Sequence, residues 1–111
     1  MARRAIKRSV RQRLEDILGA IDDAAEILDG ADFGAYQKSM IQQRAIERCV
    51  EIVSEASTYV PDGIQSAWPD VPWREIADMG NVLRHSYHRV DPLVMWRTTV
   101  RDLPRTAPSD C

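Results

Sequence analysis

At 111 residues with 44% hydrophobic content, the chain has the size of one domain that can bury a modest core without disulfide staples. A single phenylalanine, few β-branched runs and few glycines outside candidate loops argue against a sheet protein and for an all-α one. Cys49 and Cys111 give neither a disulfide framework nor a metal-binding spacing. No apolar run approaches the ~20 residues of a bilayer span, and no apolar signal core follows the basic amino terminus, so a cytoplasmic protein with no membrane partner is expected.

The formal net charge of -2 conceals a segregation along the chain. Arg3, Arg4, Lys7, Arg8, Arg11 and Arg13 precede any acid, and Glu15, Asp16, Asp22, Asp23, Glu26, Asp29 and Asp32 follow with no base among them. Residues 73–105 then carry six arginines, both histidines and four acids. A mildly acidic chain of this kind can still turn a positive surface towards phosphate.

Residues 1–8 read as a basic arm. Ser9 with Gln12 three residues on is a capping-box pattern, and Val10, Leu14, Ile17, Leu18, Ile21, Ala25 and Leu28 mark the apolar face of a first helix that stops at Gly30. Ala31 to Lys38 reads as a connector with a helical turn around Phe33 and Tyr36. Ser39 and Gln42 repeat the capping spacing ahead of a helix over 40–59. Ile46, Val50, Val53 and Val60 lie on one line there, with Ile41, Ala45, Cys49, Ile52 and Ala56 beside it. Two adjacent apolar lines suit the central helix of a bundle or one that also forms an interface. Glu51 and Glu55, with Arg48 one turn ahead, read as surface charge pairs rather than a carboxylate site.

Pro61, Gly63, Pro69 and Pro72 leave room only for a short helix around Ile64 to Trp68. Pro72 pre-sets the first turn of a helix running from Trp73 to about His88. Asp91-Pro92 caps a last helix whose expected buried face is Leu93, Trp96, Val100 and Leu103, closed by Pro104, with a tail at 105–111. The three tryptophans are expected in packing rather than base stacking. The sum is one domain over 1–111: an up-and-down four-helix bundle with an additional short helix.

The helix from Trp73 carries two stripes. Trp73, Ile76, Gly80, Leu83 and Tyr87 share the spacing of one buried face. Asp78, Asn81, His85 and His88 form a polar stripe beside it, with Arg84 at its flank. Imidazoles titrate near neutrality, so His85 can take a proton from a ribose 2′-hydroxyl and return one to the leaving 5′-oxygen. Asn81, one turn before it, can orient the imidazole or donate to a phosphate oxygen; a satisfied surface asparagine is the plainer alternative. Tyr87 points away from His85, as a half-buried aromatic with its hydroxyl at the rim. His85-x-x-His88 with Asp78 has the geometry of a metal site but lacks a third strong ligand, so no metal is expected. His88 is read instead, with Arg89, as an RNA contact.

Pro72-Trp73-Arg74-Glu75-Ile76 and Met79-Gly80-Asn81-Val82-Leu83-Arg84-His85-Ser86-Tyr87 resemble the signature helix of the HepT-like ribonuclease toxins of the HEPN superfamily, whose pattern is Arg-Asn-x-x-x-His-x-Tyr. The resemblance extends from Arg13-Leu-Glu-Asp-Ile-Leu18 through Arg44 to Arg48 and on to Asp102-Leu-Pro104. It implies a HEPN-like helical fold, a homodimer, a metal-independent endoribonuclease without cofactor, and a toxin partnered by a nucleotidyltransferase antitoxin of the MNT type. His85 is then the catalytic histidine, Asn81 its motif neighbour and Tyr87 the tyrosine that such antitoxins adenylylate.

The motif arginine falls on Gly80, and this departure poses a choice. Either Arg84, one turn on, brings its guanidinium to the same phosphate, or catalysis is weakened and the chain is a helical module that binds RNA, a nucleotide or a partner protein. A glycine inside a helix costs ~1 kcal/mol against alanine, so some compensation, such as a close approach of another helix, is expected there. A four-helix metal-carboxylate protein is disfavoured, because no helix carries a Glu-x-x-His pair.

Overall fold

The computed structural model describes residues 9–86 and 91–102. Among these residues the protein is all-helical: α1 Val10–Leu28, α2 Phe33–Lys38, α3 Met40–Ser57, α4 Asp62–Ala67, α5 Trp73–Ser86 and α6 Pro92–Arg97, the last continued by a π turn over Thr98–Asp102.

The helix starts follow local chemistry. Ser9 closes the expected capping box on α1: its Oγ accepts from the Gln12 amide at 3.1 Å, and the Ser9 amide donates to Gln12 Oε1 at 2.8 Å. Asp32, Ser39 and Asp91 cap α2, α3 and α6 in the same way through one side-chain oxygen each. The stop after α1 takes two left-handed residues rather than one: Asp29 at φ 43° precedes Gly30 at φ 77°. Only the second is a residue for which that conformation is free of strain.

α3 is central, as its two apolar lines implied: α1, α5, α2 and α6 all pack against it. Ile46, Val50 and Val53 are fully buried, while Ile41 at the start of the second line is 83% exposed. Two expected faces are corrected. On α1 Ile17 and Leu28 are buried as expected and Leu14 and Ile21 pack against the core, but Leu18 is 38% exposed and Ala25 is exposed, while Ala20 and Ala24 complete the buried stripe. On α6 the buried residues are Met95, Thr98 and Thr99, whereas Leu93 and Val100 are exposed; Trp96 is half-buried against Phe33 and Tyr36, and Leu103 lies outside the described residues.

Two hydroxyls are buried with this face. Thr98 and Thr99 hydroxyls donate back to the Val94 and Met95 carbonyls at 3.0 and 2.9 Å. Such back-bonding satisfies both hydroxyls, so Thr98 and Thr99 can lie one turn after Met95 on the same buried α-helical face. No helix among the described residues is long and apolar enough to cross a membrane.

Candidate active site

α5 is held at its start and along one side. Trp73 Nε1 donates to the Trp68 carbonyl at 3.2 Å, which pins the first turn to the α4–α5 connection. Ile76 and Leu83 are 0% and 3% exposed and Gly80 is buried, so the spacing read from sequence does mark the face turned to α3. The opposite stripe, Asp78, Asn81, Arg84 and His85, is exposed, with Val82 beside it at 41%. Tyr87, His88 and Arg89 lie outside the described residues.

Gly80 sits at a tight contact between α5 and Ser54 of α3. A β-carbon built on it would overlap Ser54 Oγ and lie 2.5 Å from Ser54 Cβ, too near for both atoms to keep their places. Ser54 is itself fully buried, and its hydroxyl has no hydrogen-bond partner there. The expected close helix approach is therefore present, and it accounts for the glycine: no side chain, arginine included, fits at position 80 with this helix spacing.

The space that Gly80 leaves open on its other side is used. Arg84 Nη1 lies 3.4 Å from where that β-carbon would be, and Arg84 Nη2 donates to Asn81 Oδ1 at 2.6 Å. Helix side chains lean towards the amino terminus, so a long side chain at 84 naturally folds back over the turn holding Gly80 and Asn81. Arg84 and His85 also stand in the last described turn of α5, where positive charge suits the helix dipole. The Asn81 oxygen engages Arg84, a partner that the spacing did not single out.

Ser54 was missed altogether. Its only sequence signal was a small residue four positions after Val50 on the most buried line of α3. The polar stripe belongs to neither of two clefts elsewhere on the surface. One, of about 460 Å³, is lined by Val71, Pro72, Arg74, Glu75 and Arg101; the other, of about 380 Å³, lies between α1 and α3 beside Asp23, Glu26, Cys49 and Ile52. Burial, then the nearby Asp23 carboxylate, push the Cys49 thiol up in spite of Arg48, which makes it a poor nucleophile. Arg48 pairs with Glu51 at 3.3 Å, the surface support expected of it. Among the described residues no three His, Cys, Asp or Glu side chains cluster as metal ligands would.

An exposed helix face bearing asparagine, arginine and histidine, opposite a glycine-tight helix crossing, is the arrangement on which the comparison with known proteins bears. Residues 17–108 match the family model described as ribonuclease HepT-like, and the chain belongs to that family. It is 37% identical over 99 residues to a protein of Thermococcus cleftensis named probable ribonuclease HepT, covering 89% of this chain and 90% of that one. A provisionally named RNase of Methanocaldococcus jannaschii is 31% identical over 99 residues, 89% and 91% of the two chains. Another, from Caldanaerobacter subterraneus, is 33% identical over 94 residues, 85% and 84% of the two. No solved structure matches the chain significantly.

Proposed function

We propose that this protein is an endoribonuclease that needs no metal, acting as the toxin of a toxin–antitoxin pair. The observation that carries the reading is the exposed run of Asn81, Arg84 and His85 on α5, in which the Arg84 guanidinium is held by Asn81 one residue before the imidazole. Family membership and the ribonuclease names of the relatives support the substrate class.

In the proposed reaction His85 takes the proton of a ribose 2′-hydroxyl. The 2′-oxygen forms a bond to the adjacent phosphorus as the bond to the 5′-oxygen breaks, and the imidazole returns a proton to that oxygen. The products are a 2′,3′-cyclic phosphate and a 5′-hydroxyl. A positioned acid–base group of this kind is worth ~10²–10⁴ in rate. Arg84 stabilises the charge gathering on the phosphate oxygens, the task that the family pattern gives to an arginine at position 80.

One copy offers too few groups to grip and cleave a phosphodiester. A homodimer that brings two α5 faces together supplies two of each group and a cleft between them, with exposed Val82 available for burial at the contact. Tyr87 is the proposed acceptor of adenylate from a nucleotidyltransferase antitoxin, and the added bulk and charge would repel RNA from the cleft. His88 and Arg89 are proposed RNA contacts.

The closure of position 80 by Ser54 favours a second reading, a helical module that has lost the motif arginine and only binds RNA, a nucleotide or a protein. A nuclease assay with EDTA present separates the two. Cleavage that survives EDTA and disappears in His85→Ala supports the enzyme; RNA retention without cleavage supports the module.

A further inference from the structure

We infer that Gly80 is the seat of the Arg84 guanidinium and that Asn81 is a positioning residue which latches it there, acting on the reaction through Arg84 rather than through His85. The inference deepens the ribonuclease reading and rests on it for its catalytic consequence. The geometry it starts from stands independently.

Three contacts define the seat. Ser54 closes position 80 on the α3 side, Arg84 Nη1 covers it on the outer side at 3.4 Å from the missing β-carbon, and Asn81 Oδ1 accepts from Arg84 Nη2 at 2.6 Å. Among the described residues the Asn81 bond goes to Arg84, and none links Asn81 to His85. A free arginine on a helix surface samples many rotamers, and a planar fork is useful to a phosphate only when its plane is fixed. One N–H is used in the latch, which leaves the remaining donors of the guanidinium for phosphate oxygens.

The glycine is thus coupled to the arginine four residues on. A side chain at 80 would place its β-carbon against Ser54 and in van der Waals contact with the Arg84 guanidinium, so a longer one competes with that guanidinium for space. Gly80→Arg, which rebuilds the family pattern on paper, should then lower activity: it forces α3 and α5 apart and evicts Arg84.

The test has two arms, both on the full chain. In the first, NMR of protein labelled with ¹⁵N-arginine follows rotation of the Arg84 guanidinium, its signal assigned by loss in Arg84→Lys. Slow rotation in the unsubstituted protein, fast rotation in Asn81→Ala, and slow rotation regained in Asn81→Asp, which keeps an accepting oxygen, are the expected results. Fast rotation in the unsubstituted protein, or slow rotation persisting in Asn81→Ala, overturns the latch.

In the second arm, RNA cleavage is measured in a double-mutant cycle. Asn81→Ala should lower kcat about tenfold, as misplacement of a catalytic group does, with KM changed by less than about twofold, and should add less than about twofold in an Arg84→Lys background. Multiplying effects would mean that Asn81 works independently of Arg84 and would refute the inference. Should the unsubstituted protein fail to cleave RNA, or His85→Ala cleave as well as it does, the ribonuclease reading falls, while the first arm still decides the seat.

Discussion

Ser54 on α3 and Gly80 on α5 meet with no room for a β-carbon between them, and the Ser54 hydroxyl buried at that contact has no hydrogen-bond partner. Elsewhere inside a helix, replacing glycine by alanine gains ~1 kcal/mol. Here overpacking costs about 1–3 kcal/mol, so Gly80→Ala should lower the free energy of unfolding. Ser54→Gly in the same chain should restore most of the loss. Ser54→Ala alone should be neutral or stabilising by up to about 1 kcal/mol, since it removes an unsatisfied buried hydroxyl. Urea denaturation of the four proteins checks the set; a stabilised Gly80→Ala protein would mean that the helices are not so close.

Glu47 is held above the usual carboxylate range, first by burial and then by Glu51, against the lowering effect of Arg44, which donates to it at 3.1 and 3.2 Å. The native state therefore keeps the Glu47 proton to higher pH than the unfolded chain does. Its contribution to stability is fully present below the unfolded value of 4.5 and declines as pH rises through the folded one. The stability of the unsubstituted protein relative to Glu47→Gln should fall from pH 4 upwards. Denaturation midpoints of both proteins across about pH 4–8 test this, and a relative stability that rises with pH would contradict it.

Tyr36 is 1% exposed beneath Phe33 and Trp96, its hydroxyl buried without a partner. Burial first, then Glu47, push its pKa up to about 12, with Arg44 opposing. Unfolding releases the Tyr36 proton more readily from its ordinary value of 10.0, so stability should decline between pH 10 and 12. Tyr36→Phe keeps the ring cluster and should be as stable as the parent, or up to about 1 kcal/mol more so, at neutral pH. It should also show a shallower alkaline loss. Melting curves at pH 7, 10 and 11 provide the check, and equal alkaline losses in both proteins would count against the burial of this hydroxyl.

The sequence was most informative where one residue type does one local job. Ser9 with Gln12, Ser39, and Asp91 with Pro92 each start a helix where the chain pattern put one. The 3, 4, 3 spacing from Trp73 to Leu83 showed which side of α5 is buried. Faces set by competition between elements were less legible. On α1 two alanines, Ala20 and Ala24, share the buried stripe with Ile17 and Leu28, and on α6 Thr98 and Thr99 are buried with their hydroxyls bonded to carbonyls one turn back, which a count of apolar residues does not register. In the site, the grouping of Asn81, Arg84 and His85 followed from spacing. The Asn81–Arg84 bond and the part played by Ser54 depend on a rotamer and on a neighbouring helix, neither of which is written in the spacing of α5.

In the proposed reaction the nucleophile belongs to the RNA and His85 moves its proton. The most direct measurement compares cleavage of an RNA oligonucleotide with that of the same sequence carrying 2′-deoxyriboses throughout, with product ends read by mass spectrometry in the presence of EDTA. Cleavage of the RNA alone, leaving 2′,3′-cyclic phosphate and 5′-hydroxyl ends, is expected, with a loss of at least about 10²-fold in His85→Ala. Cleavage of the deoxy substrate, or products bearing 5′-phosphate, would contradict it.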